Sequence, residues 1–125
     1  YPVITGDTRY YHHDSFMRLL GYPITKTDAT EEELSRYSVE KHISEYTVPT
    51  FIWHTFEDTT VPVENALMYA SALRLGGINF ELHIYPKKDH GLSIATKETW
   101  WGAEHLDDPH IATWFADSLE FMKIF

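Results

Sequence analysis

Two side chains that could share a proton each follow a strand-like run of this sequence. Asp58 stands just after an apolar run, residues 48–56, and His90 stands just after an alternating run, residues 80–85. A carboxylate that accepts the Nδ1–H of a histidine fixes the tautomer of the ring and stabilises the imidazolium. Such a histidine can take a proton from a nucleophile. The two positions therefore suggest an acid–base pair for nucleophilic catalysis, although an aspartate in a loop is more often a turn residue.

The elements between these loops must bring the two side chains together. Residues 48–56 have the largely apolar character of a parallel strand buried on both faces. Residues 64–75 have helical spacing and end at Gly76, and residues 80–85 alternate as a strand does. A strand–helix–strand unit predicts a parallel sheet, in which neighbouring strands lie roughly 4.8 Å apart. Loops at the carboxyl ends of such strands can touch.

The remaining predicted elements complete an α/β pattern. Residues 1–5 are typical of a short strand, which makes three parallel strands in all. Thr30 and Glu33 fit a capping box that opens a helix through Arg36. The last helix is expected to begin at about Pro109. Its predicted apolar stripe comprises Ile111, Phe115, Leu119 and Met122.

Composition narrows the classes of function. The 125 residues include 10 basic and 19 acidic side chains, for a net charge of −9. That balance argues against nucleic acid and against an anionic membrane surface as partners. No run approaches the roughly 18 to 20 apolar residues of a membrane span. Cysteine is absent, which excludes disulfides and thiolate catalysis within this sequence and is compatible with the cytoplasm, where we expect the protein.

Other polar or aromatic clusters have simpler structural interpretations. Residues 12–14, two histidines and an aspartate, could hold a metal, but adjacent loop histidines are more often solvated. His105 and His110 flank an acidic turn before the last helix, where helix capping is the expected role. Trp100 and Trp101 could form the wall of a substrate pocket, although core packing explains them better.

Two acids compete with Asp58 as the partner of His90. Asp89 is adjacent to His90 in the backbone, whereas an orienting acid should come from a separate loop. Glu57 is displaced by one residue from the expected position. His54, near the end of the apolar run, is expected to pack or hydrogen-bond beneath the loop of Asp58 rather than to act in catalysis.

The loops also resemble those of a known family. Residues 58–62, after a strand that ends at Phe56, resemble the acid loop of α/β-hydrolases, in which Val-Pro and a helix follow the aspartate. Residues 88–91 resemble the histidine loop of that family, and residues 1–5 resemble the strand after its nucleophile-elbow helix. The similarity to the acetyl-esterase and xylan-esterase-like branch is carried by residues 12–16, 53–55 and 61–65.

The resemblance implies both a fold class and an activity. The implied fold is the C-terminal segment of an α/β-hydrolase domain, with about three parallel strands and flanking helices, over residues 1–125. The implied activity is serine-dependent hydrolysis of small acyl esters, acetylated carbohydrates among them, with Asp58 orienting His90 as base and then acid. The resemblance implies no cofactor and no metal.

The sequence departs from the family pattern in one decisive respect. The Gly-x-Ser-x-Gly elbow of the family is absent, and the nearest run, residues 91–95, has alanine in place of the second glycine and follows the wrong loop. We therefore expect residues 1–125 alone to be inactive. We also expect the chain to associate with copies of itself through the open sheet edge at residues 1–5, where backbone N–H and C=O groups would lack a strand partner. Two alternatives stay open: the C-terminal part of a prolyl-oligopeptidase-type serine peptidase, and a non-catalytic binding or assembly module.

Overall fold

The computed structural model describes residues 1–27, 29–99 and 106–125. In chain order the elements in these ranges are α1 (His13–Leu19), α2 (Glu31–Arg36), a 3-10 turn (Val39–Lys41), β1 (Thr50–Thr55), α3 (Glu64–Leu75), β2 (Phe80–Tyr85) and α4 (Thr113–Met122). The capping box at α2 is confirmed, because the Thr30 side chain accepts from the Glu33 N–H and the Glu33 side chain accepts from the Thr30 N–H. The predicted bounds of α3 and β2 are also confirmed.

Strands β1 and β2 pair in parallel, as the strand–helix–strand pattern predicts. The register runs from Thr50 opposite Phe80 to Thr55 opposite Tyr85, so the two strands end level with one another. Helix α3 forms the crossover and buries Ala66, Ala70 and Leu73 against Ile52. The small alanine side chains allow the helix to lie close to the sheet. The two catalytic candidates therefore follow strands that finish side by side.

Residues 1–5 differ from the prediction of a third strand. The backbone N–H groups of Ile4 and Thr5 donate to Asn65 Oδ1 at 2.9 and 3.0 Å, and the Val39 N–H donates to the Ile4 carbonyl at 3.0 Å. A side chain and a neighbouring turn thus satisfy groups that a strand partner would otherwise bind. In the described ranges the sheet has two strands. The Tyr1 amino group donates to the Trp53 carbonyl of β1 at 2.8 Å, while Ile4 and Thr5 are held by α3 and the 3-10 turn.

The last helix begins later than predicted. Asp108 Oδ1 accepts from the N–H groups of His110 and Ile111 at 3.0 and 3.1 Å, so residues 109–112 form a capped turn and α4 starts at Thr113. The acidic turn expected to cap the last helix thus caps the turn before it, while α4 itself has no side-chain cap at Ala112.

The predicted apolar stripe of α4 is only partly buried. Ile111 is buried before the helix begins, and Phe121 is the buried residue of α4 itself, in edge contact with Phe51. The exposed members of the stripe are Phe115, Leu119 and Met122. Much of this helix therefore faces away from the core of the described residues.

A compact aromatic cluster supports the end of the sheet that carries the candidate residues. Tyr85, Leu92 and Ile111 are buried together, with Trp53 and Trp114 packed against them. The two indole rings stack with centroids 5.1 Å apart. Because the cluster joins both strands to the segment after β2, it fixes the loop that carries His90 against the sheet.

Candidate active site

The loop after β1 orients Asp58 through its own backbone. Asp58 is buried, and its Oδ1 accepts from the Thr60 N–H at 3.0 Å and the Val61 N–H at 2.8 Å. This is the Asx-turn arrangement by which a short carboxylate organises the residues that follow it. One carboxylate oxygen is thereby bound to the loop, and Oδ2 is left to face another part of the molecule.

That second oxygen meets the histidine predicted from the sequence. His90 Nδ1 lies 2.8 Å from Asp58 Oδ2, so the expected hydrogen bond between the two loops is confirmed. The side chain of Asp58 is fully buried and that of His90 is 31% exposed. Because a carboxylate accepts, Nδ1 carries a proton, which leaves Nε2 as the nitrogen that can act as a base. The arrangement can hold, accept and return a proton.

Aromatic rings and a cavity lie beside the pair. The Tyr1 ring packs on His90 with centroids 4.4 Å apart and meets Trp53 at 5.0 Å. The Tyr1 hydroxyl accepts from the Ser93 N–H at 2.9 Å. Tyr1, Trp53, Ser93 and Trp114 contribute to a cavity of about 620 Å³. This largely apolar cavity is thus linked to the pair through Tyr1, the ring that packs on His90.

The two competing acids bridge the loops instead of touching the imidazole ring. Glu57 Oε1 accepts from Lys87 Nζ at 2.6 Å, and its Oε2 accepts from the Lys88 N–H at 3.1 Å. In the other direction, Asp89 Oδ1 accepts from the Thr59 N–H at 2.9 Å. Each loop thus contributes a carboxylate that binds the backbone of the other loop. We call these two contacts the loop clasps.

The charges of the loop clasps are stabilised by their donors. The Lys87 ammonium is the main cause that lowers the pKa of Glu57. The backbone N–H groups of Thr59 and His90 lower the pKa of Asp89. Both carboxylates therefore remain charged across the neutral pH range and hold the loops together.

His54 lies beneath the acid loop, as expected. Its side chain is fully buried, with Nε2 2.8 Å from the Val61 carbonyl oxygen and 3.4 Å from Asp58 Oδ2. Nδ1 has no hydrogen-bond partner among the described residues. Burial lowers the pKa of His54, a result that the Val61 carbonyl and the Asp58 charge only partly oppose. The ring is therefore neutral at physiological pH.

Residues 12–14 have local partners. His12 Nδ1 lies 2.8 Å from Ser15 Oγ, and the Ser15 N–H also donates to this nitrogen. His13 Nδ1 lies 3.1 Å from an Asp14 oxygen, and its Nε2 lies 2.9 Å from the Lys26 carbonyl. The Asp14 contact is the main cause that raises the pKa of His13. Within the described ranges, no three acidic or histidine side chains are grouped so that they could hold a metal ion.

Of the remaining candidates, His110 is the one that the described ranges include. The His110 ring is in edge contact with Tyr85, 5.2 Å between centroids. Trp100, Trp101 and His105 lie outside the described residues. Over the described part of the chain, no serine oxygen is hydrogen-bonded to His90, and no helix is long and apolar enough to cross a bilayer.

Sequence reasoning missed the importance of Asn65. This fully buried amide accepts from two backbone N–H groups at residues 4 and 5, and its Nδ2 donates to the Tyr10 and Pro62 carbonyls at 2.8 and 3.1 Å. It ties the start of the chain to the acid loop. The signals in the sequence were a polar residue in the first turn of α3, two positions after Val63, and its place in the run 61–65 that resembles the esterase branch.

Comparison with known proteins places these features in a family. The Prolyl oligopeptidase family model matches residues 2–118. The chain is 42% identical over 119 residues to endo-1,4-beta-xylanase B of Butyrivibrio fibrisolvens, covering 93% of this chain and 18% of that protein. It is 36% identical over 98 residues to the acetylxylan esterase of Xylanibacter ruminicola, covering 77% of this chain and 20% of that protein. The chain thus spans about a fifth of the length of these relatives.

A solved structure agrees in fold and in sequence. The acetyl ester-xyloside bifunctional hydrolase from Caldicellulosiruptor lactoaceticus superposes with a TM-score of 0.69 at 37% identity, over 96% of this chain and 40% of that one. The resemblance to the acetyl-esterase and xylan-esterase-like branch is therefore confirmed. Since the family match extends over nearly all of the described strands, helices and loops, the chain belongs to the prolyl oligopeptidase family of α/β-hydrolases.

Proposed function

We propose that this chain carries the acid and the base of a serine-dependent carboxylic ester hydrolase that acts on small acyl esters. The observation that carries the proposal is the 2.8 Å contact between the buried Asp58 Oδ2 and the part-exposed His90 Nδ1. A buried carboxylate that fixes the tautomer of a solvent-accessible histidine is what general-base activation of a hydroxyl requires.

The proposed reaction uses His90 twice. Its Nε2 takes the proton of a serine hydroxyl while the serine oxygen attacks the ester carbonyl carbon, and the imidazolium then gives that proton to the departing alcohol. The same nitrogen then takes a proton from water as the water oxygen attacks the acyl carbon, the bond to serine breaks, and the proton passes to the serine oxygen as the carboxylic acid leaves. Asp58 stabilises the positive charge of the ring in both halves. The sequence lacks the elbow motif of the family, so the serine would come from a segment other than residues 1–125.

Acetylated carbohydrates are the favoured substrate class. The names of two similar proteins include acetylxylan esterase and acetyl ester-xyloside hydrolase. The cavity near the site is lined by Tyr1, which packs on His90, and by Trp53 and Trp114. Aromatic faces of this kind can pack against the apolar face of a sugar ring while the acetyl group lies toward the imidazole.

A serine peptidase is the second candidate. It is favoured by the family match over residues 2–118, because that family is named for a peptidase. The same acid and base serve amide and ester hydrolysis alike, so the pair alone does not separate the two.

A graft tests the ester-hydrolase proposal. Residues 1–125 would replace the matching segment of the Caldicellulosiruptor lactoaceticus hydrolase, which supplies a complete domain around them. We expect the graft to release acetate from acetylated xylan and from an activated acetyl ester, but not to cleave a prolyl peptide amide. Residues 1–125 alone serve as the blank, since we expect no turnover from them.

The controls separate a folding failure from a functional one. Circular dichroism and gel filtration must show that the graft folds like the unmodified host. A folded graft that hydrolyses no ester would refute the proposal, and preference for the peptide would favour the peptidase.

A further inference from the structure

His54 is a buried titratable side chain that no step of the proposed reaction uses. It lies within β1, four residues before Asp58, and its side chain and that of Asp58 are both fully buried. A buried polar ring is costly unless its hydrogen bonds are satisfied. Here one nitrogen is bound and the other, Nδ1, has no partner among the described residues. Burial of the His54 ring suggests a task that an apolar side chain at this position would not perform.

The geometry fixes the tautomer of this ring. His54 Nε2 lies 2.8 Å from the carbonyl oxygen of Val61. A carbonyl can only accept, so Nε2 carries the hydrogen and Nδ1 is bare. The backbone N–H of Val61 donates in turn to Asp58 Oδ1 at 2.8 Å. Val61 therefore accepts a hydrogen bond from His54 at its carbonyl and donates one to the Asp58 carboxylate from its N–H.

The same nitrogen of His54 also lies near the charged carboxylate of Asp58. Nε2 lies 3.4 Å from Asp58 Oδ2, the oxygen that binds His90 at 2.8 Å. The charged or titratable groups near His54 are Asp58, His90 and the amino group of Tyr1. A protonated His54 would share the charge of Asp58 with the imidazolium of His90 and weaken that pair. A neutral His54 leaves the carboxylate charge to His90.

We propose that His54 is a positioning residue: as a neutral ring protonated at Nε2, it holds the Val61 carbonyl and so keeps Asp58 Oδ2 directed at His90 Nδ1. Its relevance to catalysis rests on the proposed function, but the positioning itself is a property of this chain. It acts through Asp58 and touches neither substrate nor nucleophile.

A matched pair of amide variants tests the proposal in the 125-residue chain. His54→Gln places an amide nitrogen near the position of Nε2, whereas His54→Asn places it near Nδ1. In ¹⁵N-labelled protein, long-range ¹H–¹⁵N spectra report the tautomer of each ring, and solvent exchange of the His90 Nδ1 proton reports its bond to Asp58. Thermal unfolding of each variant records the purely structural effect.

The expected results are specific. At about pH 7.5 the wild-type spectrum shows His54 protonated at Nε2 only and His90 protonated at Nδ1. The His90 proton exchanges about tenfold faster in His54→Asn and within about twofold of wild type in His54→Gln, as loss or retention of one buried hydrogen bond to the Val61 carbonyl predicts. His83, which pairs with Glu81 at 2.6 Å on β2, provides the reference ring and stays unchanged.

Three outcomes would overturn the proposal. A His54 ring protonated at Nδ1, or charged at that pH, contradicts the assigned tautomer. Equal His90 exchange in the Gln and Asn variants, with only the melting temperature altered, shows a structural role alone. If neither variant folds, the tautomer of the His54 ring in the wild-type chain tests the proposal alone. An inactive graft would contradict the proposed function and leave these spectra, and the inference, standing.

Discussion

Asp58 differs from its competing acids in the direction of its two oxygens. One oxygen binds the Thr60 and Val61 N–H groups and the other binds His90. The sequence could predict the pairing, because an orienting acid must come from a loop other than that of the histidine. It could not predict the use made of Glu57 and Asp89, because a loop carboxylate that binds a distant backbone N–H leaves no periodic pattern.

The neutral His54 predicts a pH dependence of stability. Burial lowers the pKa of His54 from its ordinary value of 6.5. At pH values below 6.5 the unfolded chain therefore binds this proton more readily than the folded chain does. The free energy of unfolding should therefore fall as the pH falls below that value, by at most about 1.4 kcal/mol per pH unit for one proton. His54→Gln should remove this contribution, which denaturation with urea between about pH 5 and 8 would measure.

The matched control for this prediction is His13→Gln. The pKa of His13 is raised, so its contribution has the opposite sign: it is present below the ordinary value and is lost as the pH rises through the folded value. The two variants should change the pH slope in opposite directions. If the free energy of unfolding has the same pH slope in wild type and in His54→Gln, folding does not lower the pKa of the buried ring.

The elements were predicted best where the local pattern and the tertiary structure agree. Helix α3 and strand β2 begin and end at the predicted residues. Strand β1 begins at Thr50, not at Val48, since Pro49 has no N–H to give to a ladder. Residues 1–5 have strand-like composition, but whether an apolar run forms a strand depends on its neighbours, and here the Asn65 side chain binds its N–H groups.

Asn65 should be the most sensitive polar position in α3. Asn65→Ala removes the acceptor of two buried N–H groups and the donor to two carbonyls, so we expect a loss of about 2 to 4 kcal/mol in the free energy of unfolding. Chemical denaturation measures it. The control is Asn79→Ala, an exposed asparagine before β2, for which we expect a change within about 0.5 kcal/mol. Equal effects would contradict the assigned role of Asn65.

The loop clasps should control the mobility of the two site loops. Asp89→Ala removes the acceptor of the Thr59 N–H, so hydrogen exchange of that amide should become about tenfold faster or more. Amide exchange followed by NMR measures the change. Glu120→Ala, which removes an exposed pair with Lys123, should leave Thr59 unchanged. If Thr59 exchanges equally in both variants, the clasp does not hold the loops.

At the scale of the whole molecule, apolar surface competes with charge. On and beyond α4 the large apolar side chains that remain exposed are Phe115, Leu119, Met122, Ile124 and Phe125. A net charge of −9 opposes association of like chains. At physiological salt that repulsion is screened within about 8 Å, whereas apolar contact acts where the surfaces meet.

We therefore expect the 125-residue chain to form a dimer or larger assembly with copies of itself through this surface. The edge predicted at residues 1–5 is not the favoured contact, because Asn65 binds the N–H groups of Ile4 and Thr5. Size-exclusion chromatography with light scattering measures the mass. Met122→Glu, on the exposed side of α4, should shift the equilibrium toward monomer, while Glu120→Gln serves as a control that adds no negative charge. A monomer at about 100 µM, well above the range of typical specific dimers, would show that the apolar surface is too small to drive association.

The rate of acetyl ester hydrolysis by the graft and its aspartate variants tests the central claim most directly. If Asp58 orients His90, Asp58→Asn lowers kcat by about 10³- to 10⁴-fold, because the amide no longer holds the right tautomer or balances the imidazolium. Asp89→Asn, which changes only a loop clasp, should lower kcat by less than about tenfold. A graft that keeps its rate with Asn at position 58, or loses it with Asn at position 89, would contradict the assignment of Asp58 and His90 as the acid–base pair.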